Sequence, residues 1–178
     1  MRGWRGVLCG LLLAAGVVPG TGCARARSVP SLADRFRVEP GTHAPDSFAA
    51  HFEVTRGGRR EDAMRLIAPV SVRAPLAGFG GKCTLRLLAA PVFNIGDGVQ
   101  MDVIQESAGI PKTVYQRYFD AAREAGDRKW IPIEIPLELP EEVASVLWIR
   151  ASGGSRGDLT ADWLALAGLY VSGGGKTP

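Results

Sequence analysis

The chain has 178 residues, 46% of them hydrophobic and 22% charged, the profile of one folded domain rather than a disordered tail. Its net charge of +3 owes much to the N-terminus: setting Arg2 and Arg5 aside from the 21 basic residues, against 18 acidic ones, leaves +1. The other basic residues are scattered apart from Arg59-Arg60, and the absence of a basic stripe interleaved with aromatics excludes a nucleic-acid binder.

Residues 1–5 carry two arginines, residues 7–18 (VLCGLLLAAGVV) are almost wholly apolar, and Pro19-Gly20 ends the run. A positive start, a short apolar stretch and small residues at its end predict a secretory signal peptide over residues 1–22. A spanning helix needs about 20 apolar residues, more than this run supplies. Gly20-Thr21-Gly22-Cys23 resembles the lipobox of bacterial lipoproteins. The resemblance implies cleavage before Cys23, diacylglycerol on its thiol and an acyl chain such as palmitate on its new amine. Several acyl chains hold a protein to a membrane far better than one. An ordinary secreted protein and an uncleaved anchor are the alternatives. Residues 23–33, with arginines, serines and a proline, are expected to form a flexible tether to a domain over residues 34–172. Residues 173–178 (GGGKTP) are expected to be a disordered tail.

Past the tether the hydrophobic pattern has period two. Residues 36–39 and 51–55 predict two short strands. From Met64, the residues Met64, Leu66, Ala68, Val70 and Val72 share one face and Arg65, Ile67, Pro69, Ser71 and Arg73 the other, predicting one long half-buried strand. Pro75 and Gly78, Gly80 and Gly81 mark a turn before residues 83–92, where Cys83, Leu85, Leu87 and Ala89 alternate. Asp97-Gly98 supplies a tight turn. After it Val99, Met101 and Val103 alternate with Gln100, Asp102 and Ile104, and residues 113–119 form a further strand with Tyr115 and Tyr118 on opposite faces. Residues 120–127 (DAAREAGD) suit a short helix or loop. Ile131, Ile133, Ile135 and Leu137 alternate with Pro132 and Pro136, whose missing N–H groups predict a strand that lies at a sheet edge or carries bulges. Residues 143–151 form another strand, with Leu147 and Ile149 opposite Val146 and Trp148. Residues 161–171 read as a helical turn or a closing strand. Eight or nine strands with almost no helix predict an all-β fold, a β-sandwich or a barrel, and no 20–50-residue repeat points to a propeller or solenoid.

Several short motifs fall in a recognisable order: Asp97-Gly98-Val99 opening a strand, Asp127-Arg128-Lys129-Trp130 before the isoleucine strand, and Leu147 to Ser152 leading to a glycine-rich loop and Asp162-Trp163. In this order the chain resembles the galactose-binding-like jelly-roll domains of bacterial surface proteins and carbohydrate-binding modules, from about residue 65 to residue 171. The resemblance implies a single antiparallel β-sandwich (jelly roll) of two sheets, with any ligand site on loops at one end or on a concave face. Such folds host many functions, so it names no ligand.

Catalytic chemistry has no signature. His43 and His51 belong to no HExxH or cysteine–histidine pattern, and there is no GxSxG elbow and no P-loop. Acidic pairs among Asp97, Asp102, Asp120, Asp158 and Asp162 are read as turn or surface acids, and no dense Asp/Asn run makes Asp97 or Asp162 a calcium ligand. Cys83 is left alone in the domain, so it forms no internal disulfide and is read as a small buried hydrophobe. Neither a cofactor nor a resident metal is expected. The ligand candidates are aromatic, since such rings stack on sugar faces: Phe79 in its glycine-flanked turn, Tyr115, and Trp130 and Trp163 at strand entrances. On size, Trp148 is assigned to the core, and a core position is the competing reading of Trp163. The first functional reading is a non-catalytic envelope lipoprotein, membrane-anchored through Cys23 or secreted if that cysteine is unmodified, whose sandwich docks another envelope protein. The alternative is a glycan-binding surface module that uses exposed aromatics.

Overall fold

The computed structural model describes residues 31–39, 46–154 and 161–173; the leader, Cys23, His43, Asp158 and the tail from residue 174 lie outside them. Among the described residues ten strands form two five-stranded antiparallel sheets. Sheet A has the order β1 (Arg37–Val38), β4 (Val70–Pro75), β9 (Ser145–Gly153), β6 (Val99–Ser107), β7 (Ile110–Phe119). Sheet B has the order β2 (Phe48–Arg56), β3 (Arg59–Ile67), β10 (Trp163–Ser172), β5 (Gly81–Pro91), β8 (Ile131–Leu139). The fold is a β-sandwich, the one of the two architectures left open by the alternation that the family resemblance implies. Val72, Met101 and Ile149 of sheet A meet Leu66, Leu85, Ile135 and Leu166 of sheet B in one core, all fully buried. Hiding each such side chain is worth about 1.5–3 kcal/mol, which is why one apolar residue in every two suffices to hold the layers together.

The single long strand expected from Met64 is two strands in different sheets. The chain turns at Ala68-Pro69, so β3 ends in sheet B and β4 begins in sheet A. The apolar parity runs unbroken through the turn because both strands point the same residue set at the shared core, and alternation cannot register a change of sheet. The ambiguous last segment is strand β10, in the middle of sheet B. A register shift between Ala167 and Tyr170, with Gly168 at φ +58, lets Leu164, Leu166, Leu169 and Val171 all enter the core. That insertion breaks the period-two pattern. The proline-bearing strand β8 does lie at a sheet edge. Pro132 and Pro136 bring no N–H to that edge, which makes it a poor template for another strand.

The folded body starts earlier than residue 34. Leu32 and Ala33 are buried, and the Leu32 amide donates to the Leu169 carbonyl at 2.9 Å. A 3-10 turn at Ala33–Arg35 then leads into β1, and exposed His51 of β2 ties it to the sheet. Its Nδ1 lies 2.8 Å from Asp62 Oδ2 and its Nε2 2.9 Å from Asp34 Oδ1. Hydrogen bonding to Asp62, then to Asp34, raises the His51 pKa above 6.5. A raised folded value means that the bridge contributes fully below the ordinary histidine pKa and is lost as pH climbs through the folded one. In an NMR titration His51 is therefore expected to titrate above 6.5, with Asp62→Asn lowering the midpoint; a midpoint indifferent to that change would refute the bridge.

Residues 120–130 carry the chain from the edge of sheet A to the edge of sheet B, through a 3-10 turn at Ala125–Arg128. Buried Asp127 organises this connection by accepting from the Asp120 amide at 2.8 Å and from Arg117 at 2.7 Å. Cys83 faces the core as expected, and burial pushes its thiol pKa up, away from thiolate chemistry.

Candidate functional site

Because alternate residues of sheet A turn inward, their neighbours form its outer face. Cross-strand register aligns one row there: Arg37 of β1, Arg73 of β4, Trp148 of β9, Ile104 of β6 and Thr113 of β7. Trp148, assigned to the core on its size, stands in the middle of this row and is only partly buried. The core positions on its strand go to Leu147 and Ile149. Its indole Nε1 donates to Glu106 at 2.7 Å, a charge-assisted bond that fixes the ring. The Arg73 guanidinium lies 5.4 Å from the ring centroid, within cation–π range. A depression of about 200 Å³ opens beside the indole, lined by Glu39, Ile104, Glu106, Pro111, Trp148 and Arg150. Two more depressions flank it on the same face, one lined by Arg35, Arg37, Arg73, Pro75 and Val146, the other sharing Glu39 and Arg150 with the first. An immobilised aromatic ring beside carboxylates and guanidinia can stack on an apolar C–H surface while hydrogen-bonding hydroxyl groups at its rim.

The four aromatics singled out from sequence do not come together. Phe79 is partly buried against the core and lines a depression of about 300 Å³ at one end of the sandwich, with Leu76, Glu141, Glu142 and Val143. Tyr115 points inward from β7 and packs on the core. Trp130 is buried on the outer side of sheet B, where its Nε1 donates to the Arg59 carbonyl at 3.0 Å. Trp163, also read as a core residue on size, is instead partly exposed on that side, edge-on to Phe93 at 5.0 Å and beneath Arg65 at 5.1 Å. The signal for Trp148 was present in the strand pattern: it shares its parity with Val146 and Arg150, opposite Leu147 and Ile149.

The acids play other parts. Asp102 accepts from Gln100 at 2.9 Å and Gln116 at 3.1 Å on the outer face of sheet A. Asp120 and Asp127 hold the β7–β8 connection. Asp162 is buried and accepts from the Gly154 amide at 3.2 Å, and Asp97 is buried nearby. Among the described residues no three His, Cys, Asp or Glu side chains converge as metal ligands.

No family model matches the sequence and no curated protein is similar to it. Solved structures are similar in fold. The CBM51 module from Clostridium perfringens GH95, in complex with methyl-galactose, superimposes with a TM-score of 0.53 at 10% identity, over 82% of this chain and 100% of that one. The CBM51-2 and INT domains of Clostridium perfringens ZmpB give 0.51 at 9% identity, over 78% of this chain and 30% of that one. The same domains in complex with GlcNAc give 0.50 at 10% identity, with the same coverage of 78% and 30%. At such identities the likeness concerns architecture alone. The described chain is an all-β sandwich of the jelly-roll type, like that of carbohydrate-binding modules.

Proposed function

We propose that this domain is a non-catalytic glycan-binding module of the bacterial envelope and that it binds on the outer face of sheet A. The carrying observation is Trp148, an aromatic ring held outside the core by Glu106 and Arg73 beside a depression rimmed with polar groups. A ring already immobilised loses little further freedom when a sugar stacks on it, so more of the contact energy remains as affinity. The bound sugars of the fold neighbours support this reading over docking of another envelope protein. Affinity electrophoresis through gels containing neutral or acidic polysaccharides tests it. Wild-type protein is expected to be retarded by at least one polymer, and Trp148→Ala to weaken that retardation about tenfold or more, the scale of about 1.4 kcal/mol or greater. Equal migration of the two proteins in every gel would sink the proposal.

We further propose that Cys23 is lipidated and tethers the module to a membrane. The basic, apolar and small-residue order of residues 1–23 supports this. Cys23→Ser is expected to move the protein from the membrane pellet to the soluble fraction and to abolish labelling by a palmitate analogue. Unchanged labelling would place the lipid elsewhere.

A further inference from the structure

The outer face of sheet A holds a charge arrangement that the fold does not explain. Arg37 and Arg73 are direct cross-strand partners between β1 and β4, and like charges placed opposite one another destabilise a sheet. Among the described residues no carboxylate forms an ion pair with either. Arg35, Arg37 and Arg73 line a depression of about 280 Å³ whose other walls are Pro75 and Val146. Elsewhere arginines pair freely with acids: Arg59 with Glu61, Arg60 with Glu53, Arg86 with Glu134, Arg117 with Asp127. None of the three in the depression joins an ion pair among the described residues.

Two of these guanidinia are also held in place. Arg37 Nη1 donates to the carbonyls of Asp34 and Phe36, each at 2.7 Å, and Arg73 rests over the Trp148 ring. Strands lie about 4.8 Å apart, so Arg37 sits two strand spacings, or about 10 Å, along the row from Trp148. One row thus presents a stacking ring and, beside it, a positively charged basin with spare N–H donors. The guanidinium fork matches the oxygens of a carboxylate, sulfate or phosphate.

We infer that the glycan bound on this face is acidic: a sugar ring engages Trp148 while an anionic substituent on the same chain seats between Arg35, Arg37 and Arg73. This rests on the glycan-binding reading above. The neighbouring depression with Glu39 and Glu106 would take the uncharged hydroxyl-bearing part of the chain, since carboxylates repel a second anion.

The test compares polygalacturonate, dextran sulfate and neutral dextran and galactomannan in affinity gels, together with vesicles containing phosphatidylglycerol. Wild-type protein should be retarded most by an anionic polymer, and salt should weaken that retardation. Arg37→Gln, which does not touch Trp148, should cut it about tenfold, as expected for a charge-assisted hydrogen bond. Any neutral-polymer retardation should be unaffected. Val146→Glu, which adds a carboxylate to the basin without removing an arginine, should do the same. Trp148→Ala should weaken both. The relative retardation by carboxylate and sulfate polymers reports which anion fits. If Arg37→Gln and Val146→Glu bind acidic polymers as the wild type does, or if neutral polymers retard the wild type as strongly, the acidic assignment is wrong and the glycan reading survives. If no polysaccharide retards the wild type, both fall. If the two variants lose only vesicle binding, the basin belongs to a lipid surface and the inference is overturned.

Discussion

Trp130→Ala is expected to destabilise the folded domain by about 3–5 kcal/mol, the usual cost of removing a buried indole, and to leave glycan retention per folded molecule unchanged. The ring is 7% exposed and closes a second apolar cluster on the outer side of sheet B, over Val54, Ala63, Ala90, Ala165 and Ala167. Four of those five residues are alanines on β3, β5 and β10. Their methyl groups leave room that the ring arriving from the β7–β8 connection fills, with Phe52, Leu88 and Val92 packed around the cluster. Trp130 also donates its indole N–H to the Arg59 carbonyl, so alanine removes a hydrogen bond worth about 1 kcal/mol in addition. Trp130→Phe keeps much of the ring area and loses that bond, so it should fall between the two. Urea denaturation measures both, provided that the slope is unchanged. A loss below about 1 kcal/mol, accompanied by a loss of glycan retention, would instead restore Trp130 as a ligand contact and displace sheet A as the site.

The second large effect is expected at the turn that opens β6. Gly98→Ala should cost about 3 kcal/mol or more, combining backbone strain with an unavoidable contact. Gly98 adopts φ +97, a region in which a side chain is strained. An added Cβ would lie 2.5 Å from the Tyr118 hydroxyl oxygen and 2.6 Å from the Phe119 carbonyl oxygen. The carbonyl belongs to β7 directly opposite β6, where Val99 pairs with Phe119, so it cannot retreat without opening that ladder. The tyrosine hydroxyl donates to the Asp97 carbonyl and is held by the same turn. Gly109→Ala separates the two causes. Gly109 also has positive φ, +76, but a Cβ there meets nothing within 4 Å. It should therefore cost only the backbone term of about 1–2 kcal/mol. Equal losses at the two positions in urea denaturation would show that close approach contributes nothing at Gly98.

These two residues illustrate how unevenly the molecule can be read from its string. Asp97-Gly98 was legible as a turn because positive φ has few sequence solutions. Trp130 was legible as an aromatic at a strand entrance, but its burial depends on alanines from three strands far away in sequence. Trp148 shows the reverse error. Its bulk argued for the core, whereas its parity beside Arg150 argued for the outer face, and parity prevailed because the Leu147–Ile149 face already filled the space between the sheets. The candidate site was out of reach for a related reason. Arg37, Arg73, Trp148, Ile104 and Thr113 lie on five strands, and only their register makes them neighbours.

By itself, the sequence determined the all-β class and, in the strands with clean alternation, the side that meets the core, because alternation is a local property enforced by burial of every second side chain. It also limited β8 to an edge or a bulged strand, since proline removes donors wherever it sits, and the sheet order put it at the edge. Only the tertiary structure decided that Met64 to Val72 spans two sheets, that β10 is a central strand despite its broken period, and that an arginine–tryptophan row crosses the outer face of sheet A. Those features arise from pairing and packing between distant segments, whose energies have no counterpart in any single stretch of the chain.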